Sequence, residues 1–195
     1  MRLLIATTNQ GKVREYRALF AGLSLDLVGL KDVGIDVDVD ETGDTYAANA
    51  ELKARAYAAL SGLLTLADDS GLEVDTLNGR PGVHSARYAP DSPARIQKLL
   101  AELIDVPDDQ RGAHFQCVIV LAAPDGSITT TEGSCAGVIA HEARGNNGFG
   151  FDPVFYMPEH SATMAELPED FKNQISHRAH AGQKMRAILA EIART

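Results

Sequence analysis

The chain has no tryptophan, only two cysteines, and no surplus of positive charge: 18 lysines and arginines face 27 aspartates and glutamates, for a net charge of −9. A protein that wraps DNA or RNA needs a basic surface, because phosphate neutralisation supplies most of that affinity. No nucleic-acid partner is therefore expected. A small anionic ligand remains compatible, since a few local cations or a bound metal override an unfavourable global charge. The cysteines lack C-x-x-C spacing. Cys117 alternates with apolar residues in HFQCVIVLAA and Cys135 lies in EGSCAGVIA, so both read as reduced strand residues. The six histidines show no zinc spacing, and zinc is not expected. No apolar run approaches the roughly 20 residues of a membrane span. The opening MRLLIATTNQ turns polar after six residues, so neither a leader nor a membrane partner is expected, and the setting that follows is cytoplasmic. Repeats, low-complexity tracts and clean linkers are missing too. With 195 residues, 45% of them hydrophobic, the chain suits a single domain over 1–195, or two lobes sharing a core.

What is present alternates between strand and helix patterns. RLLIA (2–6) reads as a strand, TTNQGK (7–12) as a polar loop, and Val13, Tyr16, Leu19 and Phe20 recur at helical spacing before a second strand at 25–30. This βαβ opening predicts parallel strands with helices on the faces. An alanine-rich helix follows, with Thr45 as its N-cap and Gly62 as its stop. The strand LLTLA then ends in the adjacent carboxylates Asp68 and Asp69. Ile96, Leu99, Leu100 and Leu103 mark a helix capped by Ser92. Strands at 114–123 and 128–139 flank the turn Pro124-Asp125-Gly126-Ser127, and a last helix places Ala181, Met185, Ile188, Leu189 and Ile192 on one stripe. The fold class is a mixed α/β sheet.

In open α/β sheets ligands bind beyond the carboxyl ends of strands. The loop Thr7, Thr8, Asn9, Gln10, Gly11, Lys12 lies there, with hydroxyls, an amide, backbone N–H groups near Gly11, a cation and a following helix N-terminus. It reads either as a phosphate cradle or as an ordinary polar βα loop, since it lacks full P-loop spacing. Asp68 and Asp69 repel unless something offsets their charge, and Mg2+ held by one or two carboxylates plus substrate phosphate does so. Neighbours on a strand point to opposite faces, so Asp69 is the candidate ligand or base. Asp68 is a supporting group or merely a turn cap. Glu41 is a third carboxylate. Asn49 and Lys53 share a helix face, from which Lys53 reaches phosphate if that face looks at the metal. Phe149, set among glycines in GNNGFGFDP, is a stacking platform for a flat base or a core residue beside a bend. His177 and Arg178, after Ser176, can donate to a base carbonyl or simply flank a helix cap, and Lys172 adds a cation.

Taken in order along the chain, T-x-N-x-x-K (7–12), E-T-G (41–43), N-A-x-x-K-A (49–54), A-D-D-S-G-L (67–72), P-G-x-x-S-A-R-Y (81–88), G-F-G-F-D-P (148–153) and S-H-R (176–178) resemble the inosine triphosphate pyrophosphatase family. The resemblance implies an elongated two-lobed α/β fold around a long mixed twisted β-sheet, an active-site cleft between the lobes, and a homodimer. It implies Mg2+-dependent release of pyrophosphate from non-standard purine nucleoside triphosphates such as ITP, dITP and XTP. Carried over by residue, Thr7 to Lys12 and Lys53 would hold the triphosphate. Glu41 and Asp69 would serve the metal, with Asp69 also the proton acceptor. Ser70 would contact the nucleotide. Phe149, Gly150, Phe151, Asp152, Lys172, His177 and Arg178 would hold base and sugar. One departure is visible: Asn146-Asn147 precede Gly148 where the family often has a further glycine. Asparagine tolerates left-handed backbone better than most residues, so the loop is expected to survive. Two other readings compete: a related pyrophosphatase for modified pyrimidine triphosphates, and a non-catalytic nucleotide-sensing module.

Overall fold

The computed structural model describes residues 1–194. The chain opens with β1 (Arg2–Ile5), α1 (Gln10–Leu19) and β2 (Asp26–Gly29). β1 and β2 pair in parallel from Arg2↔Asp26 to Ile5↔Gly29, as the βαβ pattern predicts. Helix α2 (Tyr46–Ser61) starts where the Thr45 hydroxyl accepts the Ala48 N–H at 3.1 Å, and stops at Gly62, whose φ of 67° is open to glycine at little cost. Next come β3 (Leu64–Val74), α3 (Ser92–Glu102), β4 (Gly112–Ala122), β5 (Ile128–Ile139), β6 (Phe155–Met157), β7 (Ala162–Thr163), α4 (Glu169–Ile175) and α5 (His177–Ile192). The seven strands form one sheet in the order β2-β1-β3-β4-β5-β6-β7. Its β1·β3 pairing is parallel, while β5·β6 and β6·β7 are antiparallel. The expected mixed α/β sheet is therefore present.

The chain divides into two compact units. The first comprises residues 1–69, 117–133 and Arg178 onward; the second comprises 70–116 and 134–177. In the first unit both sheet faces are covered, and side-chain alternation sorts residues between them. Leu3, Ile5, Leu66, Cys117 and Ile119 pack with Val13, Tyr16 and Phe20 of α1 and Met185 and Leu189 of α5. Leu4, Ala6, Ala67, Val118 and Val120 pack with Ala50, Ala54 and Tyr57 of α2. The second unit has its own apolar core, including Leu72, Val74, Leu99, Leu103, Phe115, Phe155 and Met164.

Four details differ from the sequence reading. β3 does not end at the two aspartates but runs on to Val74. The turn preference of Asp-Asp-Ser-Gly yields because Leu66 and Ala67 before it and Leu72 and Val74 after it are all buried. Helix α3 is capped by Asp91, whose carboxylate accepts the Ala94 N–H at 2.8 Å; Ser92 is already helical. The short helix α4 was not anticipated. Helix α5 begins at His177, so His177 and Arg178 lie in its first turn rather than before it.

Candidate active site

Two groups of polar side chains stand out, one in each unit. In the first, Asp68 and Asp69 continue the alternation of β3, and each finds its own surroundings. The Asp68 carboxylate turns toward α1 and α5. Its Oδ2 meets Lys12 Nζ at 2.9 Å and accepts from Arg178 Nη2 and Nε at 3.1 and 3.3 Å. Arg178 is 1% exposed and its Nη1 donates to Glu15 Oε2 at 2.7 Å. Burial alone would push the Asp68 carboxyl up, but the cations of Lys12, Arg178 and Lys53 outweigh it and hold the group well below the usual carboxylate range. Its charge is thus secured, and the turn-cap reading of Asp68 fails because the residue is mid-strand.

Asp69 turns toward α2. Its Oδ2 accepts from Asn49 Nδ2 at 3.1 Å, and its Oδ1 lies 4.0 Å from Lys53 Nζ. The Asn49 carbonyl in turn accepts the Gly43 N–H at 2.8 Å, which ties the Glu41-Thr42-Gly43 segment to the same helix. Lys53 is paired with Glu41 and donates to the Asp68 main-chain oxygen at 2.8 Å. Burial, then the neighbouring Glu41 charge, raises the Asp69 carboxyl above its ordinary value, although Lys53 opposes this. Lys53 is raised as well: its burial is outweighed by Asp68, Asp69 and Glu41. A carboxylate with a raised proton affinity beside a polar cluster has the properties of a general base.

Lys53 therefore stands between two carboxylates, Glu41 and Asp69. All-oxygen donors in that number suit Mg2+, which is held by one or two carboxylates and completes its shell with substrate phosphate and water. Among the described residues no three His, Cys, Asp or Glu side chains converge to hold a metal, so a bound ion would need those outside ligands. The residues fit the group on these terms.

In the β1–α1 loop the polar groups are paired with one another. Asn9 caps α1, its Oδ1 accepting the Gly11 N–H at 2.8 Å and the Lys12 N–H at 3.3 Å, and the Thr7 hydroxyl accepts the Asn9 N–H at 3.2 Å. The backbone donors near Gly11 are thus taken by Asn9. Thr7, Thr8 and Gln10 line a cavity of about 460 Å3, together with Arg17 and Lys31.

The second unit holds Phe149, Asp152 and Lys172. Asp152 accepts the Phe149 N–H at 2.8 Å and pairs with Lys172 at 2.5 Å, and the Lys172 ammonium lies 4.8 Å from the Phe149 ring centroid. Phe149 is partly exposed, whereas Phe151 belongs to the apolar core and tilts against Tyr88. His177 is buried, its ring stacked on Phe115 at 4.6 Å. Ser70, in this unit's part of β3, is partly buried. Gly148 and Gly150 both have positive φ. Neither Asn146 nor Asn147 does, so the left-handed tolerance of asparagine is not called upon. Instead the Asn147 side chain donates to the Leu167 carbonyl at 3.0 Å.

Gly148 has no room for a side chain. At φ 74° an added Cβ would stand 2.0 Å from Asp152 Oδ2 and 3.0 Å from Lys172 Nζ. Gly148→Ala should displace Asp152, separate it from Lys172, and add about 1–2 kcal/mol of left-handed strain. The expected result is a melting temperature lower by several degrees. An unchanged melting temperature would mean that the loop relaxes freely around the added methyl group.

Two predicted residues take on altered surroundings. All three guanidinium nitrogens of Arg178 donate to carboxylate oxygens of Asp68 and Glu15. Lys12 is already held by Asp68. Glu15 escaped the sequence reading altogether. Its signal was there to be found: a glutamate three residues after Lys12, next to Tyr16 on the stripe that α1 buries.

The Ham1 family model matches residues 3–188. A Desulforamulus reducens protein named dITP/XTP pyrophosphatase is 50% identical over 192 residues, covering 97% of this chain and 96% of its own. A Geobacillus kaustophilus protein of the same name is 52% identical over 186 residues, covering 94% and 91%. Among solved structures, a HAM1 protein from Coxiella burnetii is 40% identical with a TM-score of 0.89, covering 98% of this chain and 99% of that one. The Staphylococcus aureus Ham1 protein is 41% identical with a TM-score of 0.87, covering 98% and 100%. A family model spanning nearly the whole chain, with relatives about half identical along it, shows that the chain belongs to the Ham1 family.

Proposed function

We propose that this protein hydrolyses non-standard purine nucleoside triphosphates (ITP, dITP and XTP) to the monophosphate and pyrophosphate. The observation that carries the reading is the Asp69 environment: a buried carboxylate with a raised proton affinity, oriented by Asn49 and facing Lys53 and Glu41. The relatives named dITP/XTP pyrophosphatase support the substrate class.

Glu41 and Asp69 would hold Mg2+, which when bound supplies charge neutralisation on the phosphate oxygens. Asp69 orients the attacking water and takes its proton as the oxygen closes on the α-phosphorus. Lys12 and Lys53 exchange their carboxylate partners for phosphate oxygens and stabilise the charge that develops on the departing pyrophosphate. Thr7, Thr8 and Asn9 line the path of the phosphate chain. In the second unit, Phe149 stacks on the base, with Lys172 and Asp152 fixing the loop that carries it. His177 and the main chain around it read the 6-position. ITP and XTP carry a carbonyl there, and adenine carries an amine. A site built to donate to a carbonyl leaves its donors unpaired against the amine. Homodimeric assembly and a cytoplasmic setting complete the reading. Among the described residues no helix is long and apolar enough to cross a membrane.

The test is pyrophosphate release from ITP, dITP, XTP, ATP and GTP, with and without Mg2+. Release from the first three, with ATP at least about a hundredfold slower in kcat/KM, is expected, and chelation should abolish turnover. Release from dTTP or UTP derivatives with none from ITP would establish a pyrimidine enzyme instead. ITP binding without turnover would establish a sensing module.

A further inference from the structure

The buried chain of charges Glu15–Arg178–Asp68–Lys12 has two ends on one helix. Lys12 and Glu15 are three apart on α1, so they share a face, and both reach the same Arg178–Asp68 pair. Two carboxylates and two cations make the group neutral. Glu15 is 3% exposed, Asp68 2% and Arg178 1%, so none of the three is shielded by bulk water. At such depth the absence of one charge is felt by the others. Asp68 is the junction. Its side chain fixes Lys12, and its main-chain oxygen fixes Lys53.

Arg178 gives Nη1 to Glu15 and Nη2 and Nε to Asp68. With Glu15 ionised, the guanidinium charge is divided between two carboxylates, and Asp68 keeps enough negative charge to hold a second cation, Lys12. With Glu15 neutral, Asp68 would have Arg178 to itself, the group would carry one uncompensated positive charge, and Lys12 would lose its fixed partner.

We propose that Glu15 is a positioning residue of the triphosphate site: acting through Arg178 and Asp68, it sets where the Lys12 ammonium stands before the phosphate chain arrives. This rests on the reading of Lys12 as a triphosphate ligand. Glu15 is a positioning residue and not a catalytic one, because its side chain is spent on Arg178. Its influence should therefore travel chiefly through Lys12, which the Asp68 carboxylate holds, whereas Lys53 is held by the Asp68 main-chain oxygen.

A double-mutant cycle tests this, because coupled residues are non-additive whereas independent ones add. Glu15→Gln keeps the shape and an acceptor for Nη1 and removes only the charge. The dissociation constant of inorganic tripolyphosphate is measured by calorimetry, and kcat/KM for ITP by pyrophosphate release, in the wild type, Glu15→Gln, Lys12→Met and the double variant. Glu15→Gln is expected to change both quantities by about fivefold or more in the wild-type background and by less than twofold in the Lys12→Met background. Equal factors in the two backgrounds would overturn the proposal, leaving Glu15 a purely structural partner of Arg178. An unchanged tripolyphosphate constant in Lys12→Met would overturn it as well, because Lys12 would then not hold phosphate. Tripolyphosphate binding is read without turnover, so these outcomes are separate from any failure of the wild type to hydrolyse ITP. If Glu15→Gln does not fold, Glu15→Asp takes its place: it keeps the charge but withdraws it from Nη1, so a smaller change of about twofold is expected in the wild-type background and none in the Lys12→Met background, and equal factors in the two would again overturn the proposal.

Discussion

Asp69→Asn should lower kcat for ITP by between about a hundredfold and ten-thousandfold, the range that a positioned general base contributes, and should leave the fold intact. The stability half of this expectation comes from the same environment as the catalytic half. Burial and Glu41 raise the folded-state proton affinity of Asp69. A carboxyl whose folded value lies above its unfolded value is costly to the folded state once it is ionised. Its stabilising contribution is present only at lower pH and is lost as pH rises through the folded value. Asparagine carries no such charge, and its side-chain oxygen can still accept from Asn49. At neutral pH and without Mg2+ the variant should melt at or above the wild-type temperature, while being nearly inactive when Mg2+ is supplied. Steady-state kinetics and a thermal melt on one preparation check both halves. Retention of more than a tenth of wild-type kcat, a barrier change below about 1.4 kcal/mol, would remove Asp69 from the proton-accepting role.

The neighbouring substitution should behave in the opposite way. Asp68→Asn leaves Arg178 buried with only Glu15 to balance it and deprives Lys12 of its 2.9 Å partner. Breaking a buried ion pair by removing one member costs about 3–5 kcal/mol, which for a chain of this size is a fall of roughly 10 °C in melting temperature. The pH dependence has a definite sign. The folded-state value of Asp68 is depressed against the pull of its burial, by Lys12 and Arg178 first. Its contribution is therefore complete above the ordinary aspartate value of about 3.9 and is lost as pH falls below that toward the folded value. The gap between the wild-type and variant melting temperatures should be constant at neutral pH and should narrow below about pH 4. A gap that stays constant into acid would mean that the Asp68 charge is not what stabilises the fold.

How much of this could be read from the residues alone varied with the reach of the interaction. Thr45 and Gly62 bound α2 as expected because a cap is decided within four residues. The β4–β5 hairpin was legible for the same reason: its turn chemistry lies in the turn. β3 was misjudged because Asp-Asp-Ser-Gly has local turn preference, while the partners that keep it extended come from far along the chain. Arg178 lies 110 residues from Asp68 and 163 from Glu15. No periodicity announces such a pairing, so the carboxylate partners of its guanidinium were not legible in the sequence. α4 eluded the pattern because seven residues offer too few turns for an apolar stripe to repeat. The separation of Asp68 from Asp69 was readable in advance, since it needs only the two-residue repeat of a strand.

That repeat makes β3 sensitive to arithmetic. Inserting or deleting one residue between Leu64 and Asp68 would reverse the parity of everything after it. The carboxylate meant for Arg178 would then face Asn49 and Lys53, and the one meant for Asn49 would face Arg178. Composition would be almost unchanged and both acids would still be present, yet each would sit among the other's partners. Changes of two residues would restore the assignment at the expense of the pairing frame Leu3↔Leu64 to Ile5↔Leu66. Length variation in this protein should therefore gather in the turns, such as 123–127, and be absent from the strand that carries the paired acids.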